Sequence, residues 1–242
     1  MFAEQREGSA RRERSALGMT RLPHVAIDGP AGSGKTTVAH ALARRLGILY
    51  LDTGAMYRAV ALAALRARVD PADREAVAAL ARADPIHAEV DAAVPLGFRI
   101  FAGATELGDE LYGNDVSRVV SIVAAQPQIR SYLVERQRKI AAERPVIMAG
   151  RDIGTVVLPE APFKIFLTAS VPERVERRLA ELLARGTDVD RATLHREIVD
   201  RDRLDEDRPI SPLRPASDAI EIDSTGLPVE AVVERIAAIV RG

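Results

Sequence analysis

Cysteine and tryptophan are both absent from the 242-residue sequence. Without cysteine, the chain has no disulfide, no thiolate metal ligand and no cysteine nucleophile. Its apolar runs also fall short of the roughly 20 residues that span a bilayer, and its first residues lack the apolar segment of a signal peptide. We therefore expect a cytoplasmic protein that has no membrane partner.

An excess of charge of one sign is also missing. Lys and Arg together number 34 and Asp and Glu 35, which leaves a net charge of −1. A nucleic-acid-binding protein usually carries a basic field, so we expect no nucleic-acid partner. Any site for an anion has to be local.

The length and the 47% hydrophobic content fit one domain with small appended subdomains. Residues 1–22 are polar and without periodicity, so we expect a disordered N-terminal extension there. The folded protein is then predicted to occupy residues 23–242.

Short apolar strands alternate with helical segments along the chain. The strand candidates are HVAID (24–28), ILYLD (48–52), PVIMAG (145–150), FKIFLTA (163–169) and AIEID (219–223). Helical patterns follow the first two strands, the second over residues 55–69, and a last amphipathic helix closes the chain. This order predicts an α/β fold with a five-stranded parallel sheet flanked by helices.

A long insertion separates the second strand from the third, and it is too long for a simple crossover. Its pattern predicts a helix over 72–83, antiparallel strands at IHAEV (86–90) and FRIFAG (98–103), and a helical stretch up to Glu143. We predict that residues 53–120 form a subdomain covering one side of a cleft.

The first strand runs directly into a glycine-rich loop that opens a helix. The loop fits the pattern G-x-x-x-x-G-K-[ST] of the phosphate-binding P-loop, in the required strand–loop–helix context. Its backbone N–H groups would cradle phosphate, the lysine would reach the transferable phosphate, and Thr36 would ligate Mg²⁺. The predicted ATP-binding residues are Gly29, Pro30, Ala31, Gly32, Ser33, Gly34, Lys35, Thr36 and Thr37.

P-loops also serve switches and motors, so other residues have to decide the function. The chain has no N-K-x-D motif for guanine, and no strand ends in the paired acids of an ATP-driven machine. Arginines instead follow the strands, near the edge where open α/β sheets bind ligands. This distribution favours phosphoryl transfer between two anionic substrates.

Two segments after strands supply candidate residues for the second substrate. Asp52 ends the second strand, where its carboxylate is suited to ordering the water molecules of a Mg²⁺ ion. Tyr57 and Arg58 follow on a helix. Alternatively, Tyr57 is a core aromatic and Arg58 a surface residue. Arg151 and Asp152 follow the third strand as a candidate catalytic pair or, alternatively, a structural ion pair.

Four motifs together resemble the bacterial cytidylate kinases: IDGPAGSGKTT, LDTGAMYRAVA, GRDIGTVVLPEAPFKIFLTAS and RDRLDEDRPISPL. The resemblance runs from residue 24 to the end of the chain. It implies a P-loop NTPase core (23–52, 121–170 and 209–242), a monophosphate-binding subdomain (53–120) and a helical lid (171–208). The implied reaction is Mg²⁺-dependent phosphoryl transfer from ATP to CMP or dCMP.

The resemblance also implies roles for individual residues. It assigns the CMP phosphate to Thr53, Tyr57, Arg58 and Arg151, and the cytosine to Ser121, Arg130 and Asp152, with Arg208 nearby. A carboxylate facing the exocyclic amino group and an arginine facing the acceptors would distinguish cytosine from uracil. One segment departs from the family pattern, because Leu111-Tyr112-Gly113 stands where the family commonly shows an arginine.

The charged run DRDRLDEDR (200–208) is predicted to continue a helix that begins near Asp190. On an unbroken helix, Arg201, Asp205 and Arg208 share a face with the apolar Leu194 and Ile198, so we expect them to turn inward. The other charges of the run, at Asp202, Arg203, Glu206 and Asp207, are expected to point mostly outward. The inward arginines would neutralise the transferring phosphoryl group, while Asp205 would hold an arginine or meet the CMP ribose.

The predicted catalytic residues are therefore Lys35, Asp52, Arg151, Arg201 and Arg208, and Asp205 joins the predicted CMP-binding residues, which also include Arg201 and Arg208. We expect ATP and CMP or dCMP as ligands and a monomeric protein. Two alternatives remain open at this point. One is a P-loop kinase for UMP or a non-nucleotide acid, and the other is a regulatory or scaffold protein that binds a nucleotide without catalysis.

Overall fold

The structure is a computed structural model and describes residues 23–91, 93–184, 186–187 and 189–241. The disordered extension expected over residues 1–22 lies outside the described residues. The strands are β1 (Val25–Asp28), β2 (Leu49–Asp52), β3 (Ile86–Val90), β4 (Phe98–Ala102), β5 (Thr105–Leu107), β6 (Val146–Gly150), β7 (Phe163–Thr168) and β8 (Ile220–Asp223). The helices are α1 (Lys35–Leu46), α2 (Thr53–Arg66), α3 (Arg74–Ala83), α4 (Asn114–Ala124), α5 (Pro127–Glu143), α6 (Val171–Ala184), α7 (Arg191–Glu206) and α8 (Val229–Arg241).

Five strands form a parallel sheet in the order β2-β6-β1-β7-β8, as the sequence predicts. The central strands β1 and β6 are buried at every position, which explains why Asp28 at the end of β1 is the one charged residue in them. Because all five strands run the same way, the loops that follow β1, β2 and β6 meet at one edge of the sheet. The residues that carry the motifs are thereby brought together.

The insertion after β2 carries a second sheet of three antiparallel strands in the order β3-β4-β5. β3 and β4 match the predicted antiparallel strands, whereas β5 is too short and too polar to be recognised from its pattern. Helix α2 begins at Thr53, two residues earlier than expected, because the Asp52 carboxylate caps it by accepting from the Gly54 N–H at 2.9 Å.

The helical stretch expected up to Glu143 consists of two helices. α4 ends at Ala124, and α5 begins at Pro127, whose missing N–H suits the first turn of a helix. A short 3₁₀ helix (Asp109–Tyr112) and a π-helical turn (Ile153–Val157) were also not predicted. The π-helical turn directly follows Arg151 and Asp152, so it affects how that segment is held.

Helices α6 and α7 pack on each other and form a small apolar cluster of their own. Val175 and Leu182 of α6 are buried against Leu194 and Ile198 of α7. As predicted, α7 starts next to Asp190, whose carboxylate caps it by accepting from the Thr193 N–H at 2.8 Å. Among the described residues, no helix combines the length and the apolar character that a membrane crossing requires.

Candidate active site

The phosphate loop follows β1 in a conformation that only glycine accepts at its first position. Gly29 has φ +149°, and a Cβ there would lie 2.0 Å from the carbonyl oxygen of Leu167. The ammonium of Lys35 is buried and donates to the carbonyl oxygen of Pro30 at 2.5 Å and to Ser33 Oγ at 3.3 Å. Burial lowers the pKa of Lys35, and the charge of Arg151 adds to this effect. A phosphate at the loop would offer Lys35 a compensating negative charge.

Thr36 and Asp52 supply the oxygen atoms expected for a magnesium site. The Thr36 hydroxyl donates to Asp52 Oδ2 at 3.3 Å, at the point where α1 and α2 both begin. A hydroxyl and a carboxylate are hard oxygen donors, which suit Mg²⁺. Across the described part of the chain, no cluster of three or more His, Asp or Glu side chains could hold a metal alone. This pair therefore fits an ion that keeps waters and binds nucleotide phosphates.

A cleft of about 880 Å³ runs from the phosphate loop to α4, α5 and α7. It collects almost every site residue predicted from the sequence. Those on its wall are Ala31, Gly32, Ser33, Gly34, Lys35, Thr36, Thr37, Asp52, Thr53, Tyr57, Arg58, Ser121, Arg130, Arg151, Asp152, Arg201, Asp205 and Arg208. Only Gly29 and Pro30 of the predicted set do not line it.

The segment that carries Arg151 is held against the start of the phosphate loop. Both oxygens of the Asp28 carboxylate accept backbone N–H groups, from Ile153 at 2.8 Å and from Gly154 at 2.7 Å. Burial raises the pKa of Asp28 to about 6, against the opposing effect of these two hydrogen bonds. β1 and the segment after β6 are thus joined next to Arg151 and Asp152, which line the cleft.

Thr53 and Gly150 both line the cleft and approach each other closely. The Thr53 hydroxyl is buried and donates to the carbonyl oxygen of Ala149 at 2.9 Å. A Cβ on Gly150 would lie 2.7 Å from Thr53 Oγ1, so the approach requires glycine. The hydroxyl predicted to bind the CMP phosphate is therefore engaged by the end of β6.

Arg130 and Asp152 form a buried ion pair, with side chains 4% and 5% exposed. The Arg130 guanidinium also lies 5.3 Å from the centre of the Tyr57 ring and donates to the carbonyl oxygen of Ala124 at 3.1 Å. Burial raises the pKa of the Tyr57 phenol to about 12. Asp152 thus pairs with Arg130 and not with its neighbour Arg151, which revises the simple ion-pair interpretation of the two consecutive residues.

Arg58 lies on the wall of the cleft and not on an outward helix face. Its guanidinium donates to Ser117 Oγ at 2.9 Å and to the carbonyl oxygen of Leu111 at 3.2 Å, and it lies 5.5 Å from the Tyr112 ring. The segment that departs from the family pattern therefore supports Arg58. Burial lowers the pKa of Arg58, so an anion nearby would stabilise its charge.

The end of α7 brings its inward charges to the cleft. Asp205 is buried and accepts from Arg151 Nε at 2.8 Å. Arg208 is also buried, although the helix ends at Glu206, so the assumption of an unbroken helix to residue 208 is wrong. Arg208 donates instead to the carbonyl oxygen of Ser211 at 2.7 Å.

Arg201 completes a cluster of positive charge. Burial lowers its pKa, and the charges of Arg151 and Arg58 lower it further. Its Nε atom is buried and has no hydrogen-bond partner among the described residues. Arginines that repel one another in a cleft are stabilised by a bound anion, so this cluster is suited to phosphate.

The outward charges of the run are correctly predicted with one exception. Arg203 and Asp207 form an ion pair whose side chains are 82% and 72% exposed, as expected. Asp202, by contrast, is 14% exposed and pairs with Arg174 of α6 at 2.6 Å. It follows Ile198 by four residues, so it lies on the flank of the apolar stripe, against which α6 packs.

Sequence reasoning also missed several residues of the cleft wall. Arg177 and Arg178 of α6 line it, as do Ser117 and the apolar side chains of Leu227 and Val229. The only available signal was the repeated arginine of VPERVERR directly after β7. That segment alone resembles an exposed helix.

Comparison with known proteins agrees with this architecture. Residues 25–242 match the family model of cytidylate kinase. The chain belongs to the cytidylate kinase family. A cytidylate kinase from Pelotomaculum thermopropionicum is 50% identical over 220 residues, which cover 91% of this chain and 96% of that relative. One from Geobacillus kaustophilus is 49% identical over 222 residues, covering 92% and 98%.

Among solved structures, an uncharacterized protein from Eubacterium ventriosum superposes with a TM-score of 0.52 at 13% identity, covering 91% of this chain and 99% of that one. This likeness concerns the fold alone. Membership of the cytidylate kinase family makes the chain a phosphotransferase whose acceptor is a phosphate group, and it removes the scaffold alternative.

Proposed function

We propose that the protein transfers the γ-phosphoryl group of ATP to CMP or dCMP and releases ADP with CDP or dCDP. The observation that carries this proposal is the buried Arg130–Asp152 pair on the wall of the same cleft that contains the phosphate loop. One end of the cleft suits a triphosphate. The other presents a carboxylate and an arginine, which match the hydrogen-bonding edge of cytosine.

The donor nucleotide is proposed to bind at the phosphate loop. The backbone N–H groups before α1 and the ammonium of Lys35 face its phosphates. Thr36 is proposed to bind Mg²⁺, with Asp52 ordering its water, and the ion would neutralise charge on the β- and γ-phosphates. Lys35 would exchange its contact with Pro30 for a phosphate oxygen.

The acceptor phosphate is proposed to lie among Arg58, Arg151 and Arg201. The mutual repulsion of Arg201 with the other two falls when an anion binds between them. An oxygen of the CMP phosphate then attacks the γ-phosphorus in line, and the bond from that phosphorus to the β–γ bridging oxygen breaks. No side-chain nucleophile is required, because catalysis consists of positioning and charge neutralisation.

The base is proposed to be selected by Asp152 and Arg130, near Ser121 and Tyr57. A carboxylate has about four acceptor positions, so Asp152 accepts from Arg130 and from the amino group of cytosine together. Uracil would place a carbonyl oxygen against that carboxylate, where two acceptors repel. Arg208 and Asp205 would close the cleft over the sugar and the phosphate.

We further propose that residues 53–120 act as the monophosphate-binding subdomain and 171–208 as the lid on the core. Lid closure would exclude water and so suppress hydrolysis of ATP. We also propose that the protein acts as a monomer.

The proposed function is tested by ADP release measured with CMP, dCMP, UMP, AMP and shikimate as acceptors. We expect kcat/KM for CMP or dCMP to exceed that for each of the other three by about 100-fold or more. Equal values for UMP and CMP would refute the role of Asp152. Absence of ADP release with CMP and dCMP would refute the function itself.

A further inference from the structure

Arg174 is a buried arginine that none of the proposed substrate contacts uses. It lies in the first turn of α6 and is 4% exposed. Its Nη1 atom donates to the carbonyl oxygen of Ala31 in the phosphate loop at 3.1 Å, and its Nε atom donates to the carbonyl oxygen of Ala169 after β7 at 3.0 Å. One guanidinium thus joins the phosphate loop to the end of β7.

The third nitrogen of the same guanidinium reaches the other helix of the pair. Nη2 of Arg174 lies 2.6 Å from Oδ2 of Asp202 in α7, and the two side chains are 5% and 14% exposed. Because both charges are buried, removal of one would leave the other without a partner and away from water, which strongly destabilises a folded protein. α7 is therefore tied to the backbone of the phosphate loop through two side chains.

The contact between Arg174 and the loop is also steric. A Cβ on Gly32 would lie 3.2 Å from the Cβ of Arg174, so the loop backbone packs directly on the start of α6. A phosphate that fixes the loop thereby fixes Arg174 as well. The contact continues to α7 through the ion pair between Arg174 and Asp202.

Asp202 directly precedes the exposed Arg203 and directly follows Arg201. Although burial opposes it, Asp205 and more weakly Asp202 raise the pKa of Arg151, so the Asp202 carboxylate lies within electrostatic range of the phosphate site. Its Oδ1 atom and Nε of Arg201 are both buried without a hydrogen-bond partner among the described residues. Because Arg201 and Asp202 are consecutive residues of α7, a shift of the helix that moves Asp202 moves Arg201 as well.

We propose that Arg174 and Asp202 are positioning residues, which fix α7 relative to the phosphate loop and so set the Arg201 guanidinium against the transferring phosphoryl group. This inference rests on the proposed function. Neither residue is assigned a contact with a substrate. Their effect is exerted through Arg201, on the CMP phosphate and the transferring phosphoryl group, and not on the binding of ATP.

The test is Asp202→Asn, which keeps the size of the side chain and removes its charge. We expect kcat to fall at least about 10-fold while KM for ATP stays within about twofold, because Arg201 is placed at the acceptor and transferring phosphates and not in the phosphate loop. The matched control is Asp207→Asn, which breaks the exposed pair with Arg203 on the same helix and should leave kcat unchanged. A kcat for Asp202→Asn equal to that of the wild type overturns the proposal.

A double-mutant cycle separates positioning from general support of the fold. In an Arg201→Ala background, Asp202→Asn should lower kcat less than twofold further, since its effect acts through Arg201. An equal loss in both backgrounds contradicts the proposal. Arg174→Lys keeps a charge near Asp202 but loses the fork that reaches Ala31, so it provides a second variant with the same expected loss of kcat. Wild-type activity with CMP is measured first, so failure of the proposed function is distinguished from failure of this inference.

Discussion

Arg130 and Asp152 form an ion pair although they lie 22 positions apart in sequence, and both side chains are almost completely buried. The pair connects α5 to the segment after β6 and faces the cleft. The positive charge of Arg130 and the negative charge of Asp152 compensate each other, so the pair can bind a neutral base without a further counter-ion.

Replacing Asp152 by Asn should reduce discrimination between CMP and UMP. The Asn amide can donate to the carbonyl of uracil, whereas the carboxylate cannot. We expect kcat/KM for CMP to fall by about 10- to 100-fold and the preference for CMP over UMP to fall with it. Steady-state kinetics with both nucleotides measure the change. The control is Glu135→Gln, which removes the exposed partner of Lys139 on α5, and a matching loss there would argue against base recognition.

Replacing Arg208 by Ala should lower kcat by at least about 100-fold, as expected for an arginine that stabilises transferring phosphate. The affinity for ATP should change far less, since Arg208 is not part of the phosphate loop at which ATP is proposed to bind. Rapid-mixing kinetics and equilibrium binding of ATP give the two quantities. Arg203→Ala, in the exposed pair on α7, is the control. Similar losses in kcat and ATP affinity would make Arg208 a uniform binding residue.

Asp52→Asn should raise the Mg²⁺ concentration that gives half-maximal activity by about tenfold, because residues that orient metal ligands tune metal affinity. Asn caps a helix as well as Asp does, so stability should change little. Asp73→Asn makes the same change at the cap of α3, where the carboxylate accepts from the Ala76 N–H, and should leave the Mg²⁺ dependence unaltered. A Mg²⁺ titration of activity compares the three proteins.

The Asp28 carboxyl predicts a dependence of stability on pH. Its pKa is raised by burial from 3.8 to about 6, so between these values the folded protein binds more protons than the unfolded chain. The free energy of unfolding therefore falls as pH rises through this window, and the full contribution is present only below about pH 4. Denaturant unfolding should show that the free energy of unfolding of the wild type, relative to that of Asp28→Asn, rises by about 2 kcal/mol when the pH is lowered from 6.5 to 4. A constant difference would show that Asp28 does not titrate there.

The sequence sufficed to predict the sheet and the phosphate loop because each rests on local chemistry. A buried parallel strand is a continuous apolar run, and the loop has a fixed spacing of glycines before its lysine. Arg201 and Asp205 were also predictable, because helical periodicity continues the stripe of Leu194 and Ile198, whereas Arg208 lies beyond the end of the helix at Glu206.

What the sequence could not reveal is which charge pairs with which. Arg174 lies in a segment whose composition suggests an exposed helix, and its partner Asp202 follows 28 positions later. Pairing of Arg130 with Asp152 likewise depends on how α5 packs beside the loop after β6. Such contacts arise from tertiary packing, and no periodicity within one helix specifies them.

The apolar cluster between α6 and α7, which is separate from the main core, has a thermodynamic consequence. Because Val175, Leu182, Leu194 and Ile198 are buried against one another, a rotation of the two helices as one body transfers little apolar surface into or out of water. Apolar surface is what gives protein transitions their heat-capacity change. Closure of this helix pair over a nucleotide should therefore add almost no heat-capacity change to that of binding, and salt concentration should shift its equilibrium more than temperature does.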